Sequence, residues 1–593
     1  MAIKIIKIIK IIKLNRIYYR ILYNIFFYSP MYRFTPQTRD YRAWEIAPNN
    51  IFKDDTTFSP LHKKLISGDM MNSAGEIIKS PYRENKIIPG VLILSGKTYG
   101  NYKDKKLYKC VPADKKLPCF LVPYKEKSVG FSKKKVNVYI LFAIKEWIAK
   151  HPIGILTNVI GAVNTLENYY TYELYRTDLY ETYQKFKILS LKNVQQYKET
   201  PTETQISLLV NEYHHKNKAC DRTARKIFSI DPENTQDIDD AIGIMYSNNK
   251  NKEEVKTISI YIANVPLWLK ILQLWQELTP KVSTIYLPNK KIPMLPEVLS
   301  EDICSLKEHE IRLAFVMDIK IIRGQVVDIS FANAIIKVYK NYIYEESALV
   351  KDTDYLDILS TTKKLVQQKT TYMSDIKDSH DVVEYYMKMM NHQCGIKLRE
   401  NKVGIFRSVN RKRKTNEDDE SIPPAVKKIL SYWGNVSSAY VLNEDDKGHD
   451  ILGLDVYAQI TSPIRRLVDI INMVVLQNIC GLQEISEEID HIIQENTHPE
   501  SIQKMNDKMR NVKKVQTNCE LINYCSKKES KKIQEGYVIQ IKGEEYTIYI
   551  PQLKLITYVK TTATYEIFKK YNYSIHIFAE EDSYHKKVRV QWL

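Results

Sequence analysis

Residues 229–244 read SIDPENTQDIDDAIGI and place Asp231, Glu233, Asp237, Asp239 and Asp240 within ten residues. Apolar runs flank them, KIFSI before and AIGIMY after. Such a stretch can sit at the edge of a core only if something neutralises its carboxylates, because like charges withdrawn from water repel. An EF-hand fails as the explanation. Counted from Asp231, the position that needs glycine is Gln236, and the position that needs a bidentate glutamate is Ile242. Asp237, Asp239 and Asp240 are close enough to share one or two small hard cations, with Asp231 folding back as a further ligand. Mg²⁺ prefers oxygen ligands and keeps several waters. On a phosphate ester, carboxylate-held ions polarise the phosphoryl oxygen and neutralise the leaving oxygen. A structural ion, or a solvated acidic turn, is the alternative.

The rest of the chain is basic, with 88 Lys and Arg against 70 Asp and Glu and a formal net charge of +18. A polyanion such as nucleic acid is one partner that fits; the lysine-rich coding of an AT-rich genome also explains the charge. The N-terminus repeats IKIIKIIKIIK (Ile3–Lys13), and no acidic residue precedes Asp40. Its longest uncharged run, Ile21–Tyr32, is shorter than the roughly 20 residues a membrane span needs, so stable membrane insertion is not expected. Eight scattered cysteines without a CxxC pair argue for a reducing, cytoplasmic setting and against structural zinc; an organelle or the nucleus is also compatible.

A second stretch, YAQITSPIRRLVDIINMVVL (Tyr457–Leu476), reads as a helix start at Thr461-Ser462-Pro463. Arg465 and Arg466 then lie near the helix N-terminus, where anions are favoured, and arginine can grip phosphate bidentately. Pairing with Asp469 or Asp455 is the plainer reading of the same two arginines.

Around these stretches the chain alternates in character. Residues 41–200 hold short strand-like runs, among them GVLILSG, CFLVPY and NVYILFAI, spaced as in one or two small OB-type barrels. Residues 215–480 mix strands (TISIYIANV, RLAFVMDIKII) with the helical DVVEYYMKMMNHQCGIKL. The run NRKRKTNEDDESIPP is a charged loop. Residues 481–532 are charged and helical, and 533–593 return to strands, with EGYVIQIKGEEYTIYIP as a hairpin. The fold class expected is multi-domain, an α/β (α+β) catalytic domain flanked by small OB-type β-barrels. Residues 1–40 form a basic low-complexity extension.

Taken together, Ser229-Ile230-Asp231, Asp237-Ile238-Asp239-Asp240-Ala241 and Thr461–Arg466 resemble the signature of the ribonuclease II / ribonuclease R (RNB-domain) family of processive 3′→5′ exoribonucleases. Between them, in family order, come YIANV (Tyr261–Val265), YLPNKKIPMLPEVLSEDICSL (Tyr286–Leu306), Arg312, YEES (Tyr344–Ser347) and VEYYMKMMN (Val383–Asn391). The resemblance implies an RNB catalytic domain with cold-shock-like barrels before it and an OB-type RNA-binding barrel after it. It implies Mg²⁺, or Mn²⁺, held by Asp231, Asp237, Asp239 and Asp240, with Asp239 the carboxylate most critical to cleavage. It implies that Tyr286 stacks on bases of the threaded strand and that Tyr344 lies beside the terminal nucleotide. Glu384 would contact the 3′ end, and Arg465, with Arg466 beside it, would hold the scissile phosphate. The activity expected is Mg²⁺-dependent hydrolysis of single-stranded RNA to 5′-nucleoside monophosphates; the alternative is a catalytically impaired RNA-binding member of the family. The chain departs from the pattern at Tyr261, Asn264, Gln459, Leu467, Met473 and Val474.

Overall fold

The computed structural model describes residues 31–48, 58–84, 86–125, 135–181, 183–200, 219–249, 252–278, 281–368, 372–411, 422–432, 436–527, 533–580 and 584–593. The N-terminal lysine repeat and most of the charged loop after Asn410 lie outside them. The fold is multi-domain α/β with β-barrel elements, and the chain divides into two compact units.

The first unit takes the described residues up to Tyr180, with short stretches from the C-terminal part of the chain. Strands Ile88–Leu92, Val138–Glu146, Ile153–Ala162, Phe120–Tyr124 and Lys105–Pro112 follow one another in the sheet, and Lys105–Pro112 pairs back to Ile88–Leu92. That closure makes one small barrel, and it removes the exposed edges an open sheet would carry. Three register shifts bend Ile153–Ala162 as it crosses Val138–Glu146. Gly154 lies at one of them, where a Cβ would come 2.7 Å from the Phe142 ring. The glycines of HPIGILTNVIGAV thus sit inside a curved strand. A smaller sheet, ordered Trp44–Ala47, Tyr32–Pro36, Met70–Met71, Ile77–Lys79, shares a core with the barrel through Phe34, Ile46, Leu65, Phe120 and Phe142.

The second unit takes Glu181–Leu521, Lys531–Ser574 and the last four residues. Its centre is a seven-stranded sheet in the order Ala219–Arg222, Gln325–Lys337, Ile311–Ile322, Glu254–Ala263, Asp240–Asn248, Phe228–Asp231, Lys340–Ile343. The runs TISIYIANV and RLAFVMDIKII form two of its strands, paired antiparallel over nine residues from Val255 to Ala263. The helices Ser379–Glu400 and Leu467–Ile479 pack on one another, and Gln477 of the second bonds Asn333 of the sheet. Leu467–Ile479 is buried from Leu467 to Gln477, and its buried amides reach across to other segments. Asn472 bonds the backbone N–H and C=O of Ile405, and Gln477 donates to Asn264 and Asn333. Buried polar groups persist only with such partners. Toward the C-terminus, Ile533–Lys542 and Glu545–Ile550 make the expected hairpin, extended by Leu555–Lys560 on one side and Lys570–Ala579 on the other.

Candidate functional site

Strand Phe228–Asp231 and strand Asp240–Asn248 are antiparallel, with Phe228 opposite Ile242. Asp231 ends the first and Asp240 begins the second, so both stand at the same end of the sheet. The connection between them turns back through Asn234 at φ 65°. Like charge and burial act together there. Burial, opposed by Ser229 and Arg465 and reinforced by Asp237, pushes the Asp231 carboxyl up to about 6. Burial, with Asp231 and Asp239 beside it, pushes Asp240 well above the carboxylate range. Asp239 is 3% exposed, and burial lifts it to about 7 against the pull of Arg465.

Asp239 ties the two sequence motifs together. Its Oδ1 accepts the backbone N–H of Ile464 at 2.9 Å, and its Oδ2 faces Arg465 Nε at 3.0 Å. The segment from Thr461 to Arg466 is therefore a turn, and the helix begins at Leu467, later than the Ser-Pro signal suggests. The physical reason is competition for backbone groups. Ile464 N–H goes to Asp239, Leu467 N–H goes to Val282 C=O, and Arg465 C=O accepts from Thr284. Arg465 leaves this turn with its side chain 48% exposed, while Arg466 Nη2 binds the fully buried Asp469 at 2.7 Å. The two arginines thus divide the sequence alternatives: Arg466 pairs with Asp469 and Arg465 faces the acidic cradle.

Tyr286 is 44% exposed on the hairpin Ile285–Leu287/Lys290–Ile292, directly across from Lys291. Tyr344 donates its backbone N–H to Asp231 C=O, and its ring stacks on His380 with centroids 3.6 Å apart. Glu384, on the helix Ser379–Glu400, is half exposed and paired with Lys388 at 2.6 Å. One cavity of about 900 Å³ is lined by all nine residues singled out in the sequence: Asp231, Asp237, Asp239, Asp240, Tyr286, Tyr344, Glu384, Arg465 and Arg466.

The family profile of the RNB domain matches residues 220–357 and 354–481. Residues 220–481 of this chain carry an RNB domain. Ribonuclease R of Buchnera aphidicola is 24% identical over 336 residues, 45% of this chain and 46% of that one. The chain spans about half the length of the curated relatives it matches. A Mycoplasma genitalium RNase R, solved with ribose-methylated single-stranded RNA, superimposes over 95% of this chain and 100% of its own at TM-score 0.68 and 16% identity. Yeast Ssd1, described as a pseudonuclease, aligns over 83% of this chain and 66% of its own at TM-score 0.57 and 13% identity.

Several departures from the RNB pattern are structural. Asn264 is fully buried, caps the helix Val265–Ile271 and joins Asn333 and Gln477 in a neutral network. Leu467, Met473 and Val474 are core. Gln459 lines the cavity and accepts the Tyr440 hydroxyl at 2.7 Å.

Other cavity residues had no signal of their own in the sequence. Asn391 is buried, accepts Ile460 N–H at 2.9 Å and donates to Tyr457 and Thr461 at 3.0 and 3.2 Å. Lys291 bonds Asp237 at 2.9 Å and Glu301 at 2.6 Å.

The donor set was tested against a divalent ion. Asp231 Oδ2 is buried without a hydrogen-bond partner, and Asp239 Oδ2 is buried with only the Arg465 guanidinium beside it, so both keep lone pairs that a cation could use. Among the described residues no three His, Cys, Asp or Glu side chains converge tightly enough to hold an ion unaided. Mg²⁺ needs only one or two carboxylates when waters and phosphate oxygens complete its shell. The cradle fits that hard, partly hydrated ion. Among the described residues no helix is long and apolar enough to cross a membrane, and no disulfide joins the eight cysteines.

Proposed function

We propose that this RNB-domain protein is a divalent-cation-dependent 3′→5′ exoribonuclease that hydrolyses single-stranded RNA processively to 5′-nucleoside monophosphates. The observation that carries the reading is the Asp239–Arg465 contact: it joins the buried acidic cradle to an exposed guanidinium in one cavity. The acidic cradle built around Asp231, Asp237, Asp239 and Asp240 would hold Mg²⁺, with Mn²⁺ as the substitute. Bound there, the ion supplies Lewis acidity to the phosphoryl group and charge neutralisation at the leaving oxygen.

This chain's own groups do the rest. Arg465 grips the scissile phosphate through its planar fork and stabilises charge developing on it. Tyr286 offers a ring face to a base, and stacking contributes about 1–3 kcal/mol per base without reading its identity. Tyr344, whose ring stacks on His380, would lie beside the terminal nucleotide. Glu384 accepts a hydroxyl hydrogen of the 3′-terminal ribose. The +18 net charge concentrates RNA near the protein in a salt-dependent way. A reducing, cytoplasmic setting is part of the same proposal.

The experiment is incubation of the full chain with 5′-labelled oligo-A and Mg²⁺. Progressive shortening is expected, and Asp239→Asn should abolish it while binding persists. Unchanged turnover in that variant overturns the assignment. A second reading, an RNA-binding protein with an impaired site, draws on the ion pair that already occupies Asp237 and on the fold shared with a pseudonuclease. It predicts tight, salt-sensitive binding of oligo-A with no shortening by the wild type.

A further inference from the structure

Lys291 is the cation that neither sequence motif contains. It lies on the strand Lys290–Ile292, directly across from Tyr286, and residues opposite one another on an antiparallel pair project to the same side. The hairpin therefore presents an aromatic ring and an ammonium to one cavity. The ammonium bridges two carboxylates, Asp237 at 2.9 Å and Glu301 at 2.6 Å, and its side chain is 23% exposed. Glu301 is held on a five-residue π turn, Leu299–Ile303, a geometry that recurs at functional sites. Asp237 is thus paired with Lys291 and Asp239 with Arg465, while Asp231 keeps a buried oxygen without a hydrogen-bond partner. The cradle is divided: Asp237 faces an ammonium clamped by a second carboxylate, Asp239 faces a half-exposed arginine, and Asp231 keeps an open oxygen.

We infer that Lys291 stands in for a second divalent cation, so that the cradle takes a single ion, held by carboxylates other than Asp237. Two-metal nuclease sites place their ions about 3.5–4 Å apart. A second ion at Asp237 would face the Lys291 ammonium at contact distance, and like charges that close repel strongly where water is scarce. The fixed charge also arrives on the hairpin that carries Tyr286. Neutralising Asp237 and orienting the stacking ring are therefore tasks of one small element, and Lys291 acts as a positioning residue. The inference rests on the cradle being a divalent-cation site, as proposed above.

The test is the stoichiometry of Mn²⁺ binding to the full chain, read from the electron paramagnetic resonance signal of the free ion. The wild type should bind one Mn²⁺. Lys291→Met, which keeps the length of the side chain and removes its charge, should bind two. Lys291→Arg should bind one. Two ions on the wild type, or one on Lys291→Met, overturn the role of Lys291. No ion on either protein overturns this inference and the cation reading together. One ion on a wild type that does not shorten RNA overturns only the exoribonuclease assignment. A measurement on the wild type alone covers a variant that does not fold: Lys291 should stay protected from amine acylation as Mn²⁺ rises to saturation, whereas Mn²⁺-dependent labelling overturns the inference.

Discussion

Asn391 offers a quantitative test of how the arginine turn is held. The residue is 4% exposed and makes three hydrogen bonds: it accepts Ile460 N–H and donates to the Tyr457 and Thr461 hydroxyls. Leucine has nearly the same shape and makes none of them. A buried polar group left without a partner costs about 1–3 kcal/mol. The hydroxyls of Tyr457 and Thr461 line the cavity and can turn to water. Ile460 is fully buried, so its N–H has no such escape. The Asn391→Leu penalty is therefore about 1–3 kcal/mol, concentrated at one amide. Asn391→Asp should behave differently. Its oxygen still accepts Ile460 N–H, and both hydroxyls can reverse to donate to the second oxygen, since each is donor and acceptor. What remains is partial burial of a charge. Hydrogen exchange of the peptide covering 457–466 is the assay, because it reports local opening without requiring the whole chain to unfold in two states. Asn391→Leu should accelerate exchange at Ile460 by about 5- to 150-fold, at about 1.4 kcal/mol per tenfold, and Asn391→Asp by markedly less. RNA shortening should fall with it, as Arg465 loses its mooring. Equal exchange in the two variants, or rates within a few-fold of wild type for Asn391→Leu, refutes the reasoning.

Tyr286→Ala should weaken oligo-A binding by about 5- to 150-fold, the equivalent of one lost stack of about 1–3 kcal/mol, with the loss in KM exceeding that in kcat; the check is a steady-state series over RNA concentration. His449 carries a pH dependence. Burial, with Arg407 nearby, holds its imidazole down at about 4, and its Nδ1 accepts the Leu452 N–H at 3.3 Å in the neutral form. The folded pKa lies below the ordinary 6.5, so stability is complete above 6.5 and drains as pH falls toward about 4. The slope from this one group approaches about 1.4 kcal/mol per pH unit. His449→Gln should flatten it, measured as urea midpoints at both ends of that window; parallel curves for the two proteins would show that the group does not titrate in this way.

Much of the architecture follows from local pattern. Near-continuous apolar, β-branched and aromatic runs in TISIYIANV and RLAFVMDIKII specify strands buried on both faces, and both are central in the sheet. The turn residues of EGYVIQIKGEEYTIYIP specify its hairpin. The acidic and basic motifs, 225 residues apart at Asp239 and Ile464, could be recognised as chemistry because each is contiguous: the aspartates lie within ten residues, and Thr461–Arg466 is a single run. Local signals misplace the helix start after Ser462-Pro463. The backbone groups that would have begun a helix there are claimed by Asp239 and by the segment Val282–Thr284, and neither claim is visible in the turn itself.

Pattern within a segment determined which residues are strand, helix or charged, because periodicity and turn chemistry act over a few neighbours. Only the tertiary structure decided which charge meets which. It gave Arg466 to Asp469 and Arg465 to Asp239, set His380 behind Tyr344, and brought Lys291 to Asp237 and Glu301. Such pairings depend on how separate strands and helices pack, and a lysine in a sequence reads the same whether it faces water or fills half of an acidic cradle.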